Sequence, residues 1–107
     1  QSPQRVIQNI IHAANVDDTL LGDDRMINLP GLTVSIHEMI SSLEKLTSKK
    51  VTDLISYKPD EFLQRIVLTW PPHFDTKKAD SMGFVKDGSV DEIIRSYIDE
   101  EGIDLKV

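Results

Sequence analysis

The sequence contains no cysteine. Disulfides, thiolate metal sites and a cysteine nucleophile are therefore excluded, and this composition fits a reducing cytoplasm. Aromatic residues make up only 6% of the 107 residues, and no apolar run is long enough to cross a bilayer. The sequence predicts one small globular domain with a modest core, and it argues against a membrane protein.

Basic charge is also scarce. Twelve Lys and Arg residues stand against 18 Asp and Glu residues, which gives a net charge of −6. No basic cluster is larger than the pairs Lys49-Lys50 and Lys77-Lys78. Binding to nucleic acid or to an anionic membrane surface is therefore disfavoured.

Motifs for cofactor chemistry are missing as well. The glycines form neither GxGxxG nor GxxxxGK[ST], so we expect no phosphate-binding loop. His12, His37 and His73 lie in separate segments without metal-ligand spacing, and we interpret them as solvated surface residues. Tyr57 and Tyr97 lack the lysine four residues later that a Tyr/Lys hydride-transfer site needs. The sequence predicts no catalytic, cofactor-binding or metal-binding residue.

What the sequence does contain is capped amphipathic helices. Ser2-Pro3 is a good start for a helix over residues 3 to 15, because Ser can cap it and Pro suits its first position. Apolar residues of this helix recur on one face: Val6, Ile7, Ile10, Ile11 and Ala14. The polar residues are expected outside that face: Arg5, Gln8, Asn9 and His12.

Four more helices follow from similar signals. "SIHEMISSLEKL" and the segment after Ser89 each carry a capping box, and the last helix should stop at Gly102. "EFLQRIVLTW" begins after Pro59-Asp60 and cannot continue through Pro71-Pro72. In residues 75–84, Asp75 can cap a short helix that Gly83 ends in the left-handed conformation.

Strands are predicted in two places. "RMINLPGLTV" suggests two short extended pieces hinged at Pro30-Gly31, and "LISYK" suggests another, whereas "DDTLLGDD" is interpreted as a polar connection. The predicted fold class is α/β: a small, helix-rich domain of about five helices with two or three short strands. So few strands do not make a stable sheet alone, so we expect the layer to need a partner.

The order of these motifs resembles a known family. "NLPGLTVSIHEMI", "QRIVLTWP", "FDTKKADSMGF" and "SVDEIIRSYID", in this order after a helix that opens with Ser2-Pro3, resemble the C-terminal part of extended short-chain dehydrogenases/reductases. The likeness is to the NAD-dependent epimerase/dehydratase branch and covers essentially all 107 residues. It implies that residues 1–107 are a small substrate-binding C-terminal domain.

The resemblance also implies partners that this sequence lacks. An N-terminal Rossmann domain would hold NAD and the Ser, Tyr-x-x-x-Lys catalytic set, so we expect this chain alone to be inactive. Together with the start at Gln1 instead of Met, this suggests a piece of a longer polypeptide. The substrate would be a sugar acid or a nucleotide sugar, and the choice between NAD and NADP and the presence of a homodimer are left open.

Three residues are candidates for substrate binding by this resemblance. Arg65 matches an Arg of the family segment and could bind an anion. Alternatively, its guanidinium could form an ion pair with Asp60 or Glu61. Trp70 could form a pocket wall, although a role in the core is favoured. Ser2 lies at the expected domain junction, although helix capping alone accounts for it.

Two other readings stay open. The chain could be a self-standing module that binds a partner protein through its apolar helix faces, or a structural subdomain with no ligand.

Overall fold

The fold is helical. The computed structural model describes residues 1–105, and its helices in chain order are α1 (Pro3–Asn15), α2 (Asp18–Leu21), α3 (Ile36–Leu46), α4 (Lys49–Thr52), α5 (Glu61–Val67), α6 (Lys77–Ser81) and α7 (Val90–Glu100).

The α/β prediction is wrong for this part of the chain. Residues 1–105 contain no strand: residues 25–34 and 54–58, where strands were expected, lie outside helices and form no ladder with another segment. A strand is stabilised by the ladder of an adjacent strand, and neither segment has one. The predicted polar connection contains α2, capped by Asp17, whose Oδ1 accepts a hydrogen bond from the Thr19 N–H at 2.9 Å.

Helix α1 spans the predicted residues, and it packs against the rest of the chain through its polar face. Asn9, on that polar face, is 1% exposed, whereas Ile7 is 58%, Ile10 62% and Ile11 59% exposed. The amphipathic pattern correctly predicted a helix with two unlike faces. The face of α1 that packs is the one for which the rest of the chain supplies partners. In this chain those partners are polar groups.

Those partners lie in residues 82–87, which run along the polar face of α1. The Asn9 amide donates to the Val85 carbonyl at 2.8 Å and accepts from the Val85 N–H at 2.9 Å. One turn further along, His12 Nε2 lies 2.6 Å from the Met82 carbonyl oxygen. At the start of the helix, the Asp87 carboxylate accepts from the Ser2 N–H at 2.7 Å and from its hydroxyl at 2.6 Å. Hydrogen bonds therefore attach the polar face of α1 to residues 82–87. The isoleucines on the other face of the helix lie outside this contact and are exposed.

A small apolar core forms where α6 ends. Ala79, Met82 and Phe84 are buried there, and Val16, Leu21 and Ile27 pack against them. The predicted stop at Gly83 is confirmed, because its φ is +83°. The Phe84 N–H donates to the Ala79 carbonyl at 3.1 Å, and the Gly83 N–H donates to the Asp80 carbonyl at 3.3 Å. The predicted cap at Asp75 is wrong by one residue, because the N-cap of α6 is Thr76. The Asp75 carboxylate accepts a hydrogen bond from the Lys77 N–H.

We expect Gly83→Ala to lower the free energy of unfolding by about 1 kcal/mol, because a Cβ is unfavourable at positive φ. Gly31→Ala is the control, since Gly31 has no positive φ and a Cβ there would meet Gln1 Cγ at an ordinary 3.6 Å. Urea unfolding midpoints measure both. Equal shifts in the two variants would contradict the assigned role of the left-handed stop.

Helices α3 and α7 pack together and form the other half of the domain. The capping box at Ser35 and Glu38 is confirmed at the start of α3. The Asp91 carboxylate on α7 accepts hydrogen bonds from the Lys45 ammonium, at 2.6 Å, and from the Ser42 hydroxyl. These two bonds hold the pKa of Asp91 below its ordinary value. The helices are thus joined by charge as well as by apolar contact.

The shape is a thin slab. Its principal extents are 52 × 36 × 16 Å and its radius of gyration is 17.3 Å, whereas a compact domain of this length has about 13 Å. A slab this thin has little interior, so most large apolar side chains lie on its faces.

Candidate functional site

A cleft of about 640 Å³ lies between α1, residues 29–33 and residues 72–76. The side chains that line it come from residues 29–33, residues 72–74, Thr76, Val6 of α1 and Lys86, together with Gln1. The volume is in the range of small-molecule sites. In the text below we call it the Lys86 cleft.

One wall of the Lys86 cleft is held by a hydrogen-bonded cluster. The Thr33 hydroxyl donates to the Pro72 carbonyl at 2.9 Å, and its oxygen lies 3.2 Å from His73 Nδ1. Because the hydroxyl proton is used on Pro72, Thr33 accepts from Nδ1–H, which places the proton of neutral His73 on Nδ1. Nε2 of His73 is then the nitrogen left to bond a ligand.

A second wall of the Lys86 cleft is fixed by hydrogen bonds from α1 and from Ser2. Lys86 lies between Val85, which is bonded to Asn9, and Asp87, which is bonded to Ser2. Its backbone is therefore fixed on both sides. At the segment formed by residues 29–33, the Gln1 side-chain amide donates to the carbonyl of the buried Pro30. This bond connects the segment to the start of the chain.

The structure places the predicted site residues apart from this cleft. Ser2 is buried, and its hydroxyl both donates to Asp87 and accepts from the Arg5 N–H at 3.3 Å. Arg65 lies exposed on α5, and within residues 1–105 it forms neither of the ion pairs expected with Asp60 and Glu61. Trp70 follows α5 and is 65% exposed, so the favoured role in the core is wrong.

The histidines were also expected on the surface, and this is wrong for His12. It is half-buried, bonded to the Met82 carbonyl and in edge-to-face contact with Phe84, with ring centroids 4.8 Å apart. No three His, Cys, Asp or Glu side chains among the described residues converge in a way that could hold a metal ion. Over the same range, no helix has the length and apolarity needed to span a bilayer.

No sequence pattern predicted the residues that line the Lys86 cleft. Thr33, His73 and Lys86 are far apart in the sequence and carry no shared spacing. The only local signal was the Pro71-Pro72 pair, which predicted an irregular segment at His73. Their convergence depends on how residues 22–35 and 71–76 fold back on α1.

Comparison with known proteins gives relatives for essentially the whole chain. No family model matches. D-erythronate dehydrogenase of Cupriavidus necator is 31% identical over 102 residues, which are 95% of this chain and 32% of that protein. D-erythronate dehydrogenase of Haemophilus influenzae is 32% identical over 98 residues, 92% of this chain and 31% of that protein.

A solved structure agrees with these relatives. The nucleoside-diphosphate-sugar epimerase of Agrobacterium tumefaciens matches with a TM-score of 0.89 and 36% identity, over 98% of this chain and 31% of that protein. The chain thus spans about a third of the length of the relatives it matches. It is homologous to one portion of D-erythronate dehydrogenase and has the fold of a portion of a nucleoside-diphosphate-sugar epimerase, which confirms the resemblance inferred from its motifs.

Proposed function

We propose that residues 1–107 are the substrate-binding domain of an NAD-dependent dehydrogenase or epimerase. The NAD-binding Rossmann domain and the catalytic residues would lie in another part of the same polypeptide. The proposal includes the cytoplasmic location expected from the lack of cysteine.

The observation that carries this proposal is the exposed apolar face of α1. Three isoleucines on one helix face are more than half exposed, although the polar face of the same helix is bonded to the chain. Exposing such a face to water is unfavourable, so a further protein surface is needed to cover it. Relatives that are about three times as long as this chain have the additional length to supply one.

Helix α5 supports the same proposal. Its apolar residues are exposed as well, with Phe62 at 70% and Leu63 at 56%. Covering α5 with the Rossmann domain would bring Arg65 and Trp70 to the boundary between the two domains, where substrate clefts are common. Arg65, which has no ion-pair partner among residues 1–105, could then bind an anionic group with its guanidinium. Ser2 is proposed only as a junction residue near the substrate.

The substrate proposed is a sugar acid or a nucleotide sugar. The curated relatives are named for D-erythronate, a four-carbon sugar acid, and the structural relative for nucleoside-diphosphate sugars. Because this chain has no glycine-rich loop and no Tyr-x-x-x-Lys, its share of the work would be to bind and orient the substrate. Hydride transfer to NAD would take place in the other domain.

A second candidate, a self-standing protein-interaction module, is favoured by the same exposed apolar residues. The two candidates differ in the size of the natural polypeptide. A product near 12.1 kDa, the mass of this chain, favours the module, and one about three times longer favours the enzyme. A homodimer formed through α1 or α5 fits either candidate.

We expect the isolated 107-residue chain to show no saturable binding of NAD, and the natural full-length polypeptide to bind it and to reduce it with D-erythronate. Calorimetric titration and absorbance at 340 nm provide the two readouts. Micromolar binding of NAD to the isolated chain would contradict the proposed division of labour. A full-length polypeptide that binds no NAD would overturn the proposed function.

A further inference from the structure

The Lys86 cleft has an unusual charge for this protein. The chain has 18 acidic residues and a net charge of −6, yet none of the described side chains that line the cleft is acidic. Lys86 is the one permanently charged side chain among them, and within residues 1–105 it has no ion-pair partner. A lysine without an ion-pair partner leaves its charge available to an anion.

The groups around Lys86 suit a polyhydroxylated ligand. His73 has Nε2 free because Nδ1 is held by Thr33, and the Thr76 hydroxyl donates to Asp80 at 3.0 Å while its oxygen can still accept. Phe74 and Leu32 give the cleft apolar wall area. Such a mixture of few polar groups and apolar surface is typical of sites for small organic ligands.

The chemistry of the wall separates the two substrate classes left open above. A diphosphate carries at least two charges and is commonly held by forked arginines or by several backbone N–H groups. No arginine is among the described residues that line this cleft. One lysine matches the single charge of a carboxylate.

We propose that the Lys86 cleft is the subsite for the carboxylate of a sugar acid, with the Lys86 ammonium as the anion ligand and His73 Nε2 bonded to a neighbouring hydroxyl. This inference rests on the proposed function, because it assigns one end of the substrate of that enzyme.

The test uses the natural full-length polypeptide, with D-erythronate as the acid and erythritol as the neutral polyol of the same carbon number. Lys86→Gln should raise KM and the calorimetric Kd for D-erythronate about tenfold or more, and leave kcat within about twofold. Lys86→Arg should restore most of the affinity. Binding of erythritol should not change in Lys86→Gln, whereas His73→Phe should weaken binding of both ligands.

The matched control is Lys50→Gln, which removes the same charge from an exposed position on α4. It should leave KM and Kd unchanged. Turnover of D-erythronate with an unaltered KM in Lys86→Gln would overturn the subsite and leave the proposed function standing. Lys86-dependent binding of D-erythronate to a full-length polypeptide that binds no NAD would overturn the proposed function and support the subsite. If UDP-glucose, and not the acid, loses affinity in Lys86→Gln, the carboxylate assignment is wrong.

Discussion

Asn9→Leu is expected to lower the free energy of unfolding by roughly 3 kcal/mol. Leucine has nearly the same shape, but it can replace neither hydrogen bond between the Asn9 side chain and the Val85 backbone. The N–H and the C=O of Val85 would both lose their partner at a position where Asn9 is almost fully buried. For a small domain this is a large share of the total stability.

The control for Asn9→Leu is Asn15→Leu on the same helix. Asn15 is exposed, and its amide bonds only the Ile11 carbonyl one turn earlier, at 2.9 Å. Its replacement should change stability by no more than about 0.5 kcal/mol. Urea unfolding followed by circular dichroism compares the two variants. Equal midpoints would show that the bonds from α1 to residues 82–87 do not hold this helix in place.

Asp87→Asn is expected to cost about 2 kcal/mol at pH 7, because two charge-assisted hydrogen bonds from Ser2 to a buried carboxylate are lost or weakened. Burial alone would raise the pKa of Asp87, but the hydrogen bonds from the Ser2 hydroxyl and N–H, together with nearby positive charge that includes Arg5, hold this pKa below its ordinary value.

The sign of the pH dependence follows from that lowered pKa. A carboxyl that binds protons less readily in the folded chain stabilises the fold above its unfolded pKa, about 3.9, and loses that contribution as the pH falls through the folded pKa. The difference in stability between wild type and Asp87→Asn should therefore be constant from pH 5 to 7 and shrink below about pH 4.

Asp99→Asn, at an exposed position of α7, is the control and should follow the wild-type profile. A stability difference for Asp87→Asn that persists unchanged at pH 2 would mean that shape, and not charge, gives Asp87 its role.

The predicted helices were correct where their signals are local. The starts of α1, α3, α5 and α7 were confirmed at Ser2, Ser35, Asp60 and Ser89, each of which accepts a hydrogen bond from the first turn. The stop at Gly83 was confirmed for the same reason. A cap and a left-handed glycine act within a few residues, so the sequence contains all the partners that they need.

The strands failed because their partners are not local. Residues 25–34 and 54–58 have strand-like composition, but a strand forms only beside another, and the described part of the chain offers none. The side of α1 that packs against the chain could not be predicted, for a related reason. Periodicity shows that a helix has an apolar and a polar face, and it cannot tell which of them its own chain will cover.

The candidate site also divides into features that sequence motifs predict and features that depend on contacts between distant residues. The family motifs predicted the relatives correctly and proposed Arg65, Trp70 and Ser2, whose roles stay predictions. The Lys86 cleft could not be predicted, because Thr33, His73 and Lys86 meet only after residues 29–33 and 72–76 close on α1.

The sequence by itself determined the capped helices, the stops between them and the likeness to one portion of a dehydrogenase, since each depends on neighbouring residues or on motif order. Tertiary structure alone decided that polar bonds hold α1 and that its isoleucines stay exposed. It also decided that Lys86, unpaired within residues 1–105, lies in a cleft whose described lining contains no acidic side chain. These features depend on contacts between residues as much as 85 positions apart, such as Ser2 with Asp87. Such contacts follow from how the whole chain packs, which no local pattern records.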